Sequence, residues 1–145
     1  MEELVEKMKV ALASSFAFAL KAQYFHWNVE GPNFLQYHEL FGKVYEEVFG
    51  AVDAIAEEIR TLEAYAPGSL TRFQQLSVVQ DEVSIPAAMS MIAKLAEDNT
   101  KVIAVLTEAY KAAEDAKALG LANFLQDRID IHFKHGWMLK STMKV

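Results

Sequence analysis

Apolar residues recur along this chain in steps of four and three, the spacing that aligns one face of an α-helix. Leu4, Met8, Ala11, Ser15, Phe18, Ala22, Phe25 and Val29 make one such stripe. Phe41, Tyr45, Val48, Val52, Ile55, Ile59 and Leu62 make a second. A third runs through Ala88, Ile92, Leu95, Asn99, Val102, Leu106 and Ala109. A last segment, roughly 121–143, is helical by composition but carries a more polar stripe of Leu125, Arg128, His132, His135 and Leu139. The pattern predicts an all-α fold, a bundle of four amphipathic helices in one domain spanning residues 1–145.

The joints fall at Gly31-Pro32-Asn33, Ala66-Pro67-Gly68-Ser69 and Ser84-Ile85-Pro86, with a fourth near Gly120. Gly31-Pro32 leaves room only to reverse the chain, so helices one and two are antiparallel, as are three and four across Gly120. The link from about Tyr65 to Val83 is longer. It can span the ~45 Å of a thirty-residue helix, which permits a crossover leaving helices two and three parallel. A short helix over Arg72 to Val79 fits inside this link. Ser84 reads as the N-cap of the third helix, with Pro86 in its first turn.

Composition narrows the chemistry. With no Cys among its 145 residues, the chain has no disulfides, thiolate metal sites or Cys nucleophile. A net charge of −6 lacks the basic excess of a duplex-DNA binder and suits a surface that attracts cations. The uncharged run from Val10 to Leu20 is too short to cross a bilayer. Glu2, Glu3 and Glu6 ahead of it do not fit a secretory leader, so the expected location is the cytoplasm, away from membranes.

Five ionisable residues stand out: His26, His38, Asp53, Glu57 and Asp130. His26 lies five residues before Gly31 and His38 seven after it, so a hairpin sets them side by side. Taken singly, each imidazole is more often a packing residue. The matched depth makes a metal half-site an equal reading. Asp53 and Glu57 share a helix face beside the apolar stripe, although the same helix carries Glu46, Glu47, Glu58 and Glu63, and most such carboxylates are solvated. Fifteen residues separate His38 from Asp53, about 22 Å of helix, so one chain cannot bring them to one ion. Two copies packed antiparallel through helix two can, and a twofold axis then makes two equal sites. That N and O donor set suits Fe(II), with Zn(II) or Mn(II) as competitors. No Glu-x-x-His occurs, so the chain lacks the motif for a di-iron centre inside its own bundle.

His26-Trp27-Asn28-Val29-Glu30-Gly31-Pro32, followed by Phe34 and Tyr37-His38-Glu39-Leu40-Phe41, resembles the signature of the Dps family, the mini-ferritins of the ferritin-like superfamily. Asp53-Ala54-Ile55-Ala56-Glu57 resembles its second half, and Trp137-Met138-Leu139-Lys140 its closing stretch. The resemblance implies a dodecamer with ferroxidase sites at twofold interfaces, where Fe(II) is oxidised by hydrogen peroxide or O2 and Fe(III) is stored inside the shell. By the same resemblance His26 and His38 are ligands from one subunit, and Asp53 and Glu57 from its mate. Trp27 lies near the metal as a trap for oxidising radicals.

The chain also departs from that pattern. Gly42 stands where the family has an acid four residues after the second His, Lys43 where an acid often aids mineral nucleation, and Phe133 where an acid precedes Lys. Glu39 and Glu46 remain for nucleation. The Gly42 exchange raises an alternative: a shell or metal-binding protein with weakened or lost ferroxidase activity. No Lys-rich tail precedes the first helix, so DNA binding is not expected. Asp127 and Asp130 read equally as the lining of an acidic pore or as a solvated face, and His132 and His135 as interface or packing residues.

Overall fold

A computed structural model describes residues 1–144 as five helices: α1 (Glu2–Asn28), α2 (Phe34–Thr61), α3 (Leu70–Leu76), α4 (Ala88–Asp115) and α5 (Leu119–Met143). No strand occurs among the described residues. The stripe foreseen for α1 is buried throughout, from Leu4 to Val29. On α2, Phe41, Val48, Ile55 and Ile59 are buried with Val44, while Tyr45, Val52 and Leu62 are half-buried and pack against the same core. Each fully buried Leu, Ile or Phe contributes about 1.5–3 kcal/mol. The foreseen face of α5 is buried as well, polar members included.

Two hairpins, α1–α2 and α4–α5, make the bundle, and α1 joins them by packing on α4. The pairing gives the direction. Lys7 and Val10 of α1 lie beside Ala104 and Glu108 of α4, whereas Lys21 pairs with Asp98. Numbers rise along α1 as they fall along α4, so these two are antiparallel and α4 runs parallel to α2. The crossover is therefore real, and α3 lies within it. Three polar side chains of α1 hold it down. The Ser14 hydroxyl accepts from the Val78 amide (3.1 Å). Lys21 Nζ donates to the Gln80 carbonyl (3.0 Å) and meets Asp98 at 2.8 Å, both side chains buried. The Tyr24 hydroxyl donates to the Ser84 carbonyl (2.7 Å).

Several boundaries differ from the sequence reading. The short helix starts at Leu70, because Ser69 caps it by accepting from the Arg72 amide (3.2 Å), and it ends at Leu76, where Ser77 turns extended. Ser84 does not cap α4. Its hydroxyl donates to Glu82 (2.7 Å), Pro86 lies ahead of the helix, and Ala87 is the N-cap. The last break is at Lys117 rather than Gly120, which sits in the first turn of α5. There the Ala118 amide donates to the Ala113 carbonyl and the Lys117 amide to that of Glu114, a left-handed helix ending with Lys117 at φ 58°. A side chain in that conformation costs about 1 kcal/mol relative to glycine. Lys117→Gly is expected to raise the thermal midpoint of unfolding, and an unchanged or lower midpoint would contradict the strain assigned to this turn.

Candidate metal centre

The α1–α2 hairpin turns through Gly31, whose φ of +122° is open to glycine alone, and it brings His26 and His38 face to face. Their ring centroids are 3.8 Å apart and the planes differ by 14°. The tie between them is reciprocal. His26 Nδ1 lies 2.6 Å from the His38 carbonyl, and His38 Nδ1 lies 2.7 Å from the His26 carbonyl. A carbonyl only accepts, so each Nδ1 carries a proton, and in the neutral form of either ring the lone pair lies on Nε2. The His26 carbonyl belongs to the last turn of α1, where helical partners run out, so His38 also caps that end. This second tie fixes both tautomers as metal-ligating imidazoles require.

Gly42 takes part in this packing. A Cβ at that position would lie 3.0 Å from both Cε1 and Nδ1 of His26. Gly42 sits one helical turn after His38, and its bare Cα leaves the His38 carbonyl open to the His26 ring.

Nearly parallel planes at this spacing do not meet within a metal–nitrogen bond of ~2.1 Å, so the two rings as stacked cannot chelate one ion. Asp53 and Glu57 are exposed on α2 and make no hydrogen bond or ion pair among the described residues. The helix is unbroken between His38 and Asp53, so about 22 Å separates them. Accordingly, no group of three His, Asp or Glu side chains among the described residues is placed to hold an ion within one chain. Trp27 is exposed and lines a groove of about 450 Å³ with Phe16, Leu20, Tyr24 and Phe73.

A second polar cluster joins buried residues of α5 to Glu47, a half-buried acid of α2 whose type is more often solvated. Glu47 receives Arg128 in two bonds (2.5 and 3.1 Å) and the Nε2–H of His135 (2.8 Å). Arg128 also donates to His132 Nε2 (3.1 Å), whose Nδ1–H donates to Asn99 Oδ1 (2.8 Å). His132 and His135 are thus packing residues of the interior. Burial works to raise the Glu47 pKa, but the bonds from His135 and Arg128 and their charge hold it down at about 2. Burial, then the charges of Arg128 and His135, push His132 down to about 3 against the opposing Glu47. The signal for this cluster was present: Arg128, His132 and His135 share a face with Leu125 and Leu139, so an acid had to meet them. Asp127 and Asp130 are exposed, and Asp130 lies 3.8 Å from Lys134 across one turn.

Residues 5–145 match the ferritin-like domain model. A low temperature-induced protein of Nostoc sp. is 34% identical over 132 residues, covering 90% of this chain and 74% of its own length. A DNA protection during starvation protein of Brevibacillus brevis is 29% identical, covering 86% and 84% respectively. The crystal structure of Dps from Staphylococcus aureus superimposes with a TM-score of 0.95 at 28% identity, covering 100% of this chain and 97% of that one. The chain belongs to the ferritin-like family. Within it, the chain is a member of the Dps group.

Two outcomes are expected. His132 is neutral in the native protein and titrates near 6.5 when unfolded, so its contribution is complete above 6.5 and is lost as pH falls toward about 3. Glu47 adds a loss between 4.5 and about 2. Denaturation between pH 7 and 4 measures this, and His132→Gln should flatten the upper part of the decline; an equal slope in the variant would reject the assignment. Gly42→Ala should displace the His26 ring by a few tenths of an ångström and lower Co(II) affinity several-fold, while leaving the assembly intact by sedimentation. Unaltered affinity would show that Gly42 does not seat the ring.

Proposed function

We propose that this chain is a mini-ferritin ferroxidase that takes Fe(II) as substrate between two copies and stores the Fe(III) product in a hollow shell, limiting oxidative stress in the cytoplasm. The observation that carries the reading is the His26–His38 tie: two imidazoles with both Nδ1 protons committed to backbone, leaving two Nε2 lone pairs for metal. The missing oxygen donors come from Asp53 and Glu57 of a second copy, antiparallel along α2. Fe(II) is held in this mixed N and O site, with Zn(II) and Mn(II) as competitors for the same donors.

Hydrogen peroxide is the preferred oxidant, with O2 as the other. Two Fe(II), one peroxide and two protons give two Fe(III) and two waters, so paired oxidation releases no hydroxyl radical. Each imidazole binding its own ion would set up that pairing. Trp27, next in sequence to His26, intercepts radicals from any unpaired event. The shell is a dodecamer of twofold dimers, and it does not bind DNA. Gly42 favours a second reading, in which the oxygen-poor site binds metal but oxidises iron slowly or not at all.

A mixing experiment separates an intersubunit site from an in-chain one. One chain carries His26→Ala and His38→Ala, the other Asp53→Asn and Glu57→Gln. Each is inactive alone in peroxide-driven Fe(II) oxidation. Random co-assembly makes half the dimers mixed, each with one complete site of two, so about a quarter of native activity returns. No recovery in verified mixed assemblies would refute the shared site. Full native Fe(II) binding with no oxidation would establish the second reading.

A further inference from the structure

The two imidazoles of the hairpin are the middle members of a stack of four rings. Phe34 covers His38 with centroids 5.1 Å apart and planes at 26°, His38 covers His26 at 3.8 Å, and Tyr45 lies beyond His26 at 6.4 Å and 28°. Phe34, His38 and Tyr45 all come from α2, at positions that successive turns bring to one face. The bare Cα of Gly42, between His38 and Tyr45, lets the His26 ring settle against that face. The two ends of the stack differ in chemistry. A phenyl ring yields an electron only to very strong oxidants, whereas a phenol gives up an electron and its proton together. Tyr45 is therefore the readily oxidised member. On its far side the aromatic contacts run through Phe49 (6.2 Å), Phe16 (6.3 Å) and Phe73 (4.7 Å), so a hole on Tyr45 meets only phenyl rings there. Trp27 is placed otherwise. It follows His26 in sequence, so its side chain leaves α1 about 100° round the helix, and it lines the exposed groove beside Tyr24 and Phe73. Tyr45 is half-buried against the core.

We infer that Tyr45 is the one-electron reserve of the His26–His38 pair: when a single Fe(II) meets hydrogen peroxide there, Tyr45 supplies the second electron through the His26 ring. This role rests on iron being oxidised at that pair. Pairing of two irons fails whenever Fe(II) is scarce, since one ion then meets peroxide alone. Fe(II), the phenol, one peroxide and one proton give Fe(III), a tyrosyl radical and two waters. The O–O bond breaks, one electron leaves the iron, and the other leaves the ring with the phenolic proton. A later Fe(II) returns an electron to the ring and becomes Fe(III), and a solvent proton restores the phenol. The sum is two Fe(III) and two waters from two Fe(II), one peroxide and two protons, and no hydroxyl radical is set free. Trp27 then meets only what escapes the stack.

The test is freeze-quench electron paramagnetic resonance on the whole assembly, loaded anaerobically with fewer Fe(II) than chains and then mixed with hydrogen peroxide. A tyrosyl signal should appear, narrow when the protein carries ring-deuterated tyrosine, and vanish when more Fe(II) is added. Tyr45→Phe keeps the ring and its packing. It should lose the signal, bind Co(II) as the native protein does, and release hydroxyl radical to a spin trap when Fe(II) is scarce. With Fe(II) in excess, where pairs form, variant and native protein should release equally little. Trp27→Phe should keep the signal. Peroxide-driven oxidation without a tyrosyl signal, a signal that survives Tyr45→Phe, or one lost equally in Trp27→Phe would overturn the role of Tyr45 and leave the ferroxidase site standing. Weakened Co(II) binding in Tyr45→Phe would make Tyr45 a packing residue and overturn it too. A native protein that oxidises no Fe(II) with peroxide would remove both.

Discussion

A continuous helix keeps residues fifteen positions apart at roughly 22 Å, and α2 is continuous from Phe34 to Thr61. His38 and Asp53 both ride on it. That rigid spacing governs much of the molecule's character: one chain offers nitrogen donors at one end of α2 and oxygen donors at the other. Neither end is a complete metal site. Asp53 and Glu57 are exposed and unpaired among the described residues, while the two imidazoles are locked by backbone. An antiparallel partner converts the distance from an obstacle into a repeat, since each end of one helix then meets the opposite end of its copy.

The two polar clusters show how context sets what the same residue types do. At the hairpin, both imidazoles hydrogen-bond to backbone carbonyls through Nδ1. In the bundle interior, imidazoles meet a carboxylate and a guanidinium, and every strong charge there is matched. Leaving any one of those charges alone is far costlier than keeping all of them. α2 touches α5 at few points, and the Glu47 bonds are the polar tie between those two helices.

The helices were legible because their apolar periodicity is unbroken, and the crossover because the link from Tyr65 to Val83 is nineteen residues long. The His pair was legible from distances to Gly31, although stacking of the rings was not, since it depends on the missing Cβ at Gly42. Glu47 looked like any solvated helix acid; its burial depends on Arg128, 81 residues away, which no local pattern reports. Helix ends misled for a similar reason. Glycine and serine are signals of tendency, yet Gly120 and Ser84 were passed over for Lys117 and Ala87, whose backbones are set by neighbouring packing. Lys21 and Asp98, 77 positions apart, form a buried pair under the crossover that no local pattern reports.

Ser14, Lys21 and Tyr24 all lie on α1, and so do the contacts that join α2 and α4 into one bundle. The first helix is therefore the hub on which every later segment except α5 chiefly docks. During synthesis the ribosome releases this hub before anything that packs on it. Its apolar face must wait in the open until α4 emerges, some sixty residues after its own last turn. The nascent chain is thus at its stickiest midway through translation, and α2, arriving early as a hairpin partner, is its first shield.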